Sequence, residues 1–393
     1  MNGEKMINVA ILGTGGIASS HVEGFLAFPE RCRIVALANR TPAKAEALKA
    51  KHNLDCRIVS DARELADSDD VDLAVVLTPP AAHAEQSVML LRSGKHVLLE
   101  KPMAMSPDEC EAILAAERES GRMVSVVAQN RFKTPAMRMK KVIDSGILGA
   151  LNHIQVNSFW WRSGSYYDLY WRGRWDTEGG GCTLIHSVHH IDLMLWLVGM
   201  PYELRSIFDN LAHDNSEVED ISLTLMRFKP HLLGQLTSSI VHYGEEQSIV
   251  LQAGRAGIAL PWRVMSLTAR ENGFPAGDDE KTIAEIQSFY DSLPELEHEG
   301  HTGQIDDVLA AIEQNRPPIV TARDGANAIS LVRAVYKSAL ENAPVALPMA
   351  ADDPYRSSGG FLSKAVKFHE KTRNIEAFRD NEIVVGSISQ QKK

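Results

Sequence analysis

A glycine-rich turn directly follows the first apolar run of the chain, residues 7–12. The turn reads Gly13-Thr14-Gly15-Gly16-Ile17-Ala18, which is the pattern GxGxxA at the start of a predicted helix. Gly13 permits a tight turn, Gly15 lets the backbone approach a pyrophosphate, and Ala18 keeps the helix close to the strand. Phosphate oxygens could then accept hydrogen bonds from N–H groups at the helix N-terminus. The pattern predicts a dinucleotide site at Gly13, Thr14, Gly15, Gly16 and Ile17.

The residues after the second predicted strand bear on the choice between the two nicotinamide cofactors. An acidic residue there would hydrogen-bond the adenosine ribose and repel a 2′-phosphate, but this chain has Asn39-Arg40-Thr41. A neutral Asn39 beside a cation favours NADP over NAD, because Arg40 could pair with the phosphate. The alternative is that Arg40 is solvated or stacks on adenine without reading the phosphate.

A lysine stands at the end of another predicted strand, in the sequence Glu100-Lys101-Pro102. The carboxyl ends of strands in an open α/β sheet face the crevice where ligands bind. A partly dry crevice would lower the pKa of Lys101 toward the working range of a general acid or base. The alternative is an ordinary surface lysine. The same edge is predicted to supply Thr78, Pro79, His83 and Glu100 to the cofactor and Asn130 and Arg131 to the substrate.

Three histidines lie close together after Gly179-Gly180-Gly181, whose small size would let the chain pass close to a ligand. His186 and His190 are four residues apart, as in a helical metal site. However, the Glu of the HExxH pattern is missing and nothing is spaced to complete the ligand set. We therefore predict no metal, and we favour a proton-handling histidine on a helix over residues 184–198.

Composition narrows the class of partner. The 393 residues include 41 Lys and Arg against 51 Asp and Glu, which gives a net charge of −10 and no basic surface for a nucleic acid. The four cysteines have neither metal nor disulfide spacing, which is typical of a reducing compartment. No apolar run is long enough to span a membrane, and the N-terminal run is too short for a signal peptide. We expect a cytoplasmic protein with a small-molecule partner and no membrane association.

The order of the predicted elements indicates two domains. Short apolar runs at residues 7–12, 34–38, 73–77, 97–99 and 124–128 alternate with helical segments, which predicts a doubly wound α/β unit over residues 1–128. Alternating runs at 221–225, 232–241 and 248–251, with helical periodicity at 301–342, predict an α+β domain over residues 129–350. Residues 351–393 are polar and are predicted to form a loosely held extension.

These signals in this order resemble the Gfo/Idh/MocA family of oxidoreductases. The likeness rests on GxGxxA, Glu100-Lys101-Pro102, and the three glycines followed by His189 and Asp192, and it extends from residue 6 to about 350. The resemblance implies an α/β Rossmann domain and a C-terminal domain with a large, mostly antiparallel open sheet that often serves for oligomerisation, here a homodimer or homotetramer. It also implies hydride transfer between a secondary hydroxyl of a sugar, sugar derivative or cyclitol and NAD or NADP.

Two residues of this chain match the family's catalytic positions. Lys101 matches the lysine that binds the reacting oxygen and assists proton transfer, and His189 matches the helix histidine that often acts as acid or base. Many family dehydrogenases have an Asp four residues before this histidine, where this chain has Ile185. His186 is the next residue along and could take over part of the polar role of the missing Asp, but a one-residue step on a helix turns the side chain by about 100°. We therefore expect Lys101 and His189 to share the proton transfer.

An aromatic and cationic segment precedes the glycine cluster, and we call residues 162–173 the aromatic loop. Its rings and Arg heads are what carbohydrate sites use for C–H packing and for hydroxyls. We expect Tyr166, Tyr167 and Arg172 to contact substrate, together with His186 and His189. The alternative is an aromatic packing patch between the domains.

Two other functions remain compatible with these motifs. One is a dinucleotide-binding regulator without turnover, which the loss of Asp at Ile185 keeps open. The other is a redox-assisted glycosidase, in which transient oxidation labilises a glycosidic bond and the nicotinamide is recycled.

Overall fold

The N-terminal half of the chain forms the predicted doubly wound α/β unit. The computed structural model describes residues 6–376 and 378. The strands of this half are β1 (Ile7–Leu12), β2 (Cys32–Ala38), β3 (Arg57–Val59), β4 (Leu73–Val76), β5 (His96–Leu99) and β6 (Val124–Val126). The helices are α1 (Ala18–Leu26), α2 (Pro42–Lys51), α3 (Ala62–Ala66), α4 (His83–Arg92), α5 (Pro107–Ser120) and α6 (Thr134–Asp144).

The six strands form one parallel sheet in the order β3-β2-β1-β4-β5-β6, so its strand order reverses between β1 and β4. The five strands expected from the sequence are all present. The sixth, β3, escaped prediction because it has only three residues and begins with the exposed Arg57 at the edge of the sheet. The GxGxxA turn and the end of β4 therefore lie side by side at the switch point, where ligands of such sheets bind.

The C-terminal half is built around a second, larger sheet. Its strands are β7 (Leu151–Phe159), β8 (Glu203–Asp209), β9 (Ile221–Phe228), β10 (Leu232–Ser239), β11 (Gln247–Ala253), β12 (Gly257–Leu260), β13 (Arg263–Met265) and β16 (Val345–Ala346), and a separate hairpin pairs β14 (Leu267–Ala269) with β15 (Pro275–Asp278). The helices are α7 (Trp175–Glu178), α8 (Cys182–Ile185), α9 (Val188–Val198), α10 (Glu280–Ser292), α11 (Gly300–Glu313), α12 (Ala322–Glu341) and α13 (Ser358–Leu362).

The eight-stranded sheet has the order β13-β12-β11-β7-β10-β9-β8-β16 and is antiparallel except where β7 pairs with β10. The period of two predicts one buried face for β9, and one face is buried. Over residues 222–225, however, that face carries Ser222 and Thr224, whereas Leu223 and Leu225 are exposed. The observed fold is thus a Rossmann domain plus an α+β domain with a large, mostly antiparallel sheet.

The C-terminal half also returns to the first domain. Helix α11 packs on α1, and its side chains Ile305, Val308 and Leu309 belong to the apolar core on one face of the parallel sheet. Residues 300–313, which we placed in the second domain, therefore complete the core of the first. Burying an apolar stripe against a sheet face is the physical reason for this return.

Two expectations about local structure are corrected. The helix predicted over residues 184–198 is two helices, because α8 ends at Ile185 and α9 begins at Val188. The extension is not loosely held in its described part. Tyr355 and Phe361 are buried, and the Phe361 ring lies 5.3 Å from the Trp175 ring between centroids. The prediction for residues 377 and 379–393 lies outside the described residues.

In residues 6–376, no helix is both long enough and apolar enough to cross a membrane. All four cysteines are buried free thiols.

Candidate active site

The turn between β1 and α1 has the backbone conformation and the space that a phosphate group needs. Gly13 has φ +99°, and a Cβ atom there would lie 2.7 Å from the carbonyl oxygen of Leu77. Only glycine is tolerated in that position. A Cβ on Gly15 would meet no atom within 4 Å, so open space lies before the first turn of α1, which no side chain caps. Gly13, Thr14, Gly15, Gly16 and Ile17 thus form a cradle that fits a dinucleotide pyrophosphate.

The residues after β2 meet this turn. The Asn39 side chain donates to Thr14 Oγ1 at 2.5 Å and accepts from the Thr41 backbone N at 2.8 Å. Asn39 therefore orders the loop on which Arg40 stands. The Arg40 side chain is exposed, and Asn39 before it bonds the glycine turn, so its position is compatible with pairing to a 2′-phosphate.

The residues after β4 support the cleft more than they line it. Thr78 Oγ1 donates to Gln86 Oε1 at 2.6 Å. His83 is 1% exposed, and its ring nitrogens lie 2.8 Å from the Pro102 carbonyl oxygen and 2.7 Å from the Thr78 carbonyl oxygen. The predicted cofactor contact of His83 is wrong, because its ring is enclosed and ties two strand-end loops together. Pro79 directly precedes a short 3-10 turn, and the cofactor contacts predicted for Thr78 and Pro79 stay predictions.

Lys101 stands immediately beyond β5, at the carboxyl edge of the parallel sheet. Its Nζ atom donates to the Ile185 carbonyl oxygen at 3.4 Å, so the lysine reaches from the Rossmann domain to the end of α8. Burial lowers the pKa of Lys101 against the opposing charge of Glu100, and Arg172 lowers the pKa further. The position where family dehydrogenases have Asp thus contributes a backbone oxygen, which the sequence comparison could not reveal.

The buried side chain of Glu100 fixes the backbone of Lys101. Its carboxylate accepts from the Lys101 backbone N at 2.9 Å and lies 3.0 Å from His21 Nε2 and 3.9 Å from His301 Nε2. Burial opposes ionisation of Glu100, but the hydrogen bond and charge of His21 and the charge of Lys101 bring its pKa to about 2. Glu100 is 7% exposed and its carboxylate is used by protein groups, so it fixes the lysine, and its predicted cofactor contact stays a prediction.

His21 and His301 were missed by the sequence interpretation. His21 lies on α1 three residues after Ala18, and this helical spacing was a usable signal. His301 lies on α11, about 200 residues from Glu100, and no local pattern links them. Among the described residues His21, Glu100 and His301 could together hold a metal ion, but the hydrogen bond between His21 and Glu100 already accounts for their spacing. The absence of a resident metal stays a prediction.

The break between α8 and α9 sets the directions of the three histidines. His190 is buried and its Nδ1 lies 2.8 Å from Ser158 Oγ, so it packs on β7. His186 is buried between the helices, with its Nδ1 unpartnered and its ring 5.5 Å from the Tyr166 ring. His189 is partly exposed, and burial and the charge of Lys101 hold its pKa well below the usual range. The imidazole of His189 is therefore neutral at physiological pH.

Lys101 and His189 line one small cavity where the two domains meet. The cavity is enclosed mainly by apolar side chains, and its polar lining residues are Lys101, Asn130, His189 and Asp192. The motifs that are far apart in the sequence thus converge, because β5 and the 3-10 turn after β6 end at the same sheet edge and α9 covers it. The cavity holds only about 20 Å³, which is room for one water-sized group, and the amine, imidazole and amide at its wall can hydrogen-bond a hydroxyl group there and move its proton.

Arg131 lies beneath this cavity and does not line it. It is 1% exposed, and its guanidinium makes a bidentate pair with Asp192 at 2.8 and 2.7 Å and a third contact with Asp324 at 3.2 Å. Its predicted substrate contact is wrong because all of its charge is used inside the protein. The pair instead fixes α9, the helix that carries His189.

Of the three aromatic-loop residues predicted to contact substrate, Tyr166 is available for that contact, Arg172 orients it, and Tyr167 is buried. Tyr166 is partly exposed, whereas Tyr167 is 1% exposed, so the predicted substrate contact of Tyr167 is wrong. The Arg172 guanidinium lies 4.2 Å from the Tyr166 ring centroid, donates to Tyr166 Oη, and pairs with the buried Glu178 at 3.2 Å. Arg172 therefore orients Tyr166. The predicted contact between Arg172 and substrate stays a prediction, and the guanidinium would make it while paired with Glu178.

The three glycines approach the protein itself and not a ligand, contrary to our expectation. A Cβ on Gly181 would lie 2.0 Å from the Glu219 carbonyl oxygen. The Glu219 carboxylate accepts from the backbone N of Gly181 at 2.9 Å and of Thr183 at 3.0 Å, and burial raises its pKa to about 7. This buried carboxylate anchors the start of α8, whose last carbonyl meets Lys101.

Comparison with known proteins agrees with this architecture. Residues 7–128 match the model of the Gfo/Idh/MocA oxidoreductase family described as its NAD-binding Rossmann fold, and residues 140–347 match the model of the family's C-terminal alpha/beta domain. The chain belongs to the Gfo/Idh/MocA oxidoreductase family.

Similar family members act on polyols and sugars according to their names. An inositol 2-dehydrogenase of Ralstonia nicotianae is 28% identical over 56% of this chain, and the match spans 63% of that relative, less than two thirds of its length. The scyllo-inositol 2-dehydrogenase (NADP(+)) of Bacillus subtilis is 26% identical over 75% of this chain and 84% of its own. A crystal structure of the WlbA dehydrogenase of Bordetella pertussis with NADH and UDP-GlcNAcA has a TM-score of 0.76 at 25% identity, covering 88% and 99% of the two chains.

Two glycine variants test two different requirements of the turn, the open space for a phosphate at Gly15 and the positive φ at Gly13. Gly15→Ala fills open space without a strained φ, so we expect unchanged thermal stability and a dinucleotide Kd raised about tenfold or more, as the methyl group enters the phosphate cradle. Gly13→Ala should instead lower the free energy of unfolding by more than about 1 kcal/mol. Calorimetric titration and thermal unfolding of both variants test this, and an unchanged Kd in Gly15→Ala would exclude a phosphate at the turn.

Proposed function

We propose that this protein is an NAD(P)-dependent oxidoreductase that transfers a hydride between a secondary hydroxyl or ketone of a sugar, sugar derivative or cyclitol and the nicotinamide. The convergence of Lys101 and His189 on one cavity at the carboxyl edge of the parallel sheet carries this proposal. The names of the relatives, inositol dehydrogenases among them, support the polyol class of substrate.

Each of the two residues has a distinct part in the chemistry. When bound, the nicotinamide accepts or donates the hydride. The Nζ atom of Lys101 binds the reacting oxygen, and its lowered pKa lets it take the hydroxyl proton as the alcohol becomes a ketone. The neutral imidazole of His189 holds the same or a neighbouring hydroxyl and can accept the proton from the Lys101 ammonium, which returns the lysine to its neutral form. The Ile185 carbonyl and the Glu100 carboxylate keep the lysine in place.

The side chains that are still accessible in the cleft indicate the other substrate contacts. Asn130 lines the cavity beside His189, and Tyr166 presents a partly exposed ring beside His186. We infer that Asn130 binds a hydroxyl and that Tyr166 packs on an apolar face of the sugar ring. His186 supports Tyr166 from the buried side and contributes to substrate binding through it.

The cofactor preference and the activity can be tested together. We expect substrate-dependent reduction of nicotinamide, followed by absorbance, with at least one member of a panel of inositols, aldoses, amino sugars, anhydrosugars and uronic acids. NADP should be preferred, and Arg40→Ala should weaken NADP binding about tenfold while leaving NAD binding unchanged. Equal effects on both cofactors would remove Arg40 from phosphate recognition.

The same assay distinguishes the competing functions. Dinucleotide binding without reduction would favour the regulator, and free glycone without net reduction would favour the redox glycosidase.

The pH dependence tests the lysine. Because burial disfavours the ammonium form, the rate of alcohol oxidation should rise with pH through a midpoint below 10.5, the ordinary lysine value. Lys101→Met should lower kcat about 10²-fold to 10⁴-fold and abolish this inflection. His189→Ala should lower kcat/KM and keep the inflection. The control is Lys364→Met, at an exposed lysine outside the cleft. If both active-site variants stay within a factor of two of wild type, the assignment fails.

The open face of the large sheet supports a homodimer or homotetramer. Its exposed apolar side chains are Ile207, Leu223, Leu225 and Leu233, which lie on the three neighbouring strands β8, β9 and β10. An apolar face of this kind is typical of an interface between copies. Light scattering on the full chain should give a dimer or tetramer, and Leu225→Glu should dissociate it. A wild-type monomer at micromolar concentration would contradict this prediction.

The cytoplasmic location also stays a prediction.

A further inference from the structure

We propose that residues 366–375, which we call the C-terminal strap, belong to the substrate-binding machinery, with Lys371 as a positioning residue that fixes the aromatic loop. The proposal rests on the proposed function, because the aromatic loop carries the predicted substrate residue Tyr166. The strap lies beyond residue 347, where the match to the family's C-terminal domain ends.

The strap pairs with the aromatic loop through the backbone. Ile375 forms a parallel bridge with Leu169, in which the Tyr170 backbone N donates to the Ile375 carbonyl oxygen at 3.0 Å. The Ile375 backbone N in turn donates to the Asp168 carbonyl oxygen at 2.8 Å. These two hydrogen bonds set the register between two segments about 200 residues apart in sequence.

Two buried side chains then fix the same stretch of the loop. Lys371 is 7% exposed, and its Nζ atom donates to the Tyr167 carbonyl oxygen. Asn215 donates to that same carbonyl oxygen at 3.1 Å and accepts from the backbone N of Thr372 and of Arg373, both at 2.9 Å. The Tyr167 carbonyl therefore joins the loop, the strap and the turn before β9 at one point.

The fixed peptide lies next to the substrate residue. Tyr166 immediately precedes Tyr167, and the two rings meet edge to face with centroids 5.1 Å apart. The Tyr166 ring is also 5.5 Å from His186 and 4.2 Å from the Arg172 guanidinium. Holding Tyr167 by its carbonyl and its buried ring thus sets where Tyr166 presents its face, which is the positioning that binding requires.

The strap makes contacts beyond those of the preceding helix α13, although both segments touch Trp175. Phe361 of α13 is fully buried, and the Arg333 guanidinium lies 3.8 Å from its ring centroid. The strap begins after that anchor, where Trp175 Nε1 donates to the Val366 carbonyl oxygen at 3.0 Å. Removal of residues 366–393 therefore leaves the buried anchor of the extension in place.

Substitution of Lys371 tests the positioning role by separating KM from kcat. Lys371→Met keeps the apolar stem but removes the charged donor to the Tyr167 carbonyl. We expect KM for the sugar or cyclitol to rise about tenfold, with kcat within about threefold and the dinucleotide Kd unchanged. Lys371→Arg should restore most of the loss. The matched control is Lys364→Met, at an exposed lysine of the same extension.

Hydrogen–deuterium exchange on the full chain makes the test independent of turnover. Exchange in residues 166–172 should accelerate in Lys371→Met and in a chain ending at Ala365, and should match wild type in Lys364→Met. Unchanged exchange and KM would overturn the proposal. A uniform acceleration with a lower Tm and weaker dinucleotide binding would overturn it as well, since it indicates a general loss of stability. If the wild type oxidises no sugar, the proposed function fails, and the exchange result still decides whether the strap positions the loop.

Discussion

The buried carboxylate of Glu100 is the constraint on which the site depends. Its oxygens bond His21 of α1 and the backbone of Lys101, and they face His301 of α11. One anion thus connects the dinucleotide turn, the candidate catalytic lysine and a helix that comes from the C-terminal half. Because a carboxylate without partners is costly to bury, these groups are required together, and the loss of one would leave Glu100 undercompensated.

The second domain faces this centre through a broken helix. Had residues 184–198 formed one continuous helix, the Ile185 carbonyl would have been used inside it. The break after Ile185 instead leaves that oxygen to accept from Lys101 and turns His186 and His189 to different surroundings. Glu219 fixes the start of α8 by accepting a hydrogen bond from the Gly181 backbone N, and Arg131 fixes α9 through its ion pair with Asp192. The two sides of the cavity are therefore held by buried polar groups, Glu219 on one side and the Arg131–Asp192 pair on the other.

The corrections to the predicted site have one physical cause. His83, Arg131 and Tyr167 are residue types that often bind ligands, and each lies in a segment near the cleft. Each proved to be 1% exposed, with its polar groups or its backbone used inside the protein. A sequence gives residue type and approximate position along an element, but burial depends on what packs above the side chain. Several of the polar groups that hold this site in shape are thus buried behind the residues that line it.

The sequence by itself determined the parallel sheet, the glycine turn, the lysine at the strand end and the helix histidine, because hydrophobic period and fixed local spacing encode these features over a few residues. Tertiary structure alone decided the partners of Glu100, the accepting carbonyl of Ile185, and the attachment of residues 366–375 to the aromatic loop. These contacts join residues separated by about 80 to 200 positions, and most use backbone atoms that every residue carries. No residue type marks such a contact in the sequence, so only the folded chain reveals it.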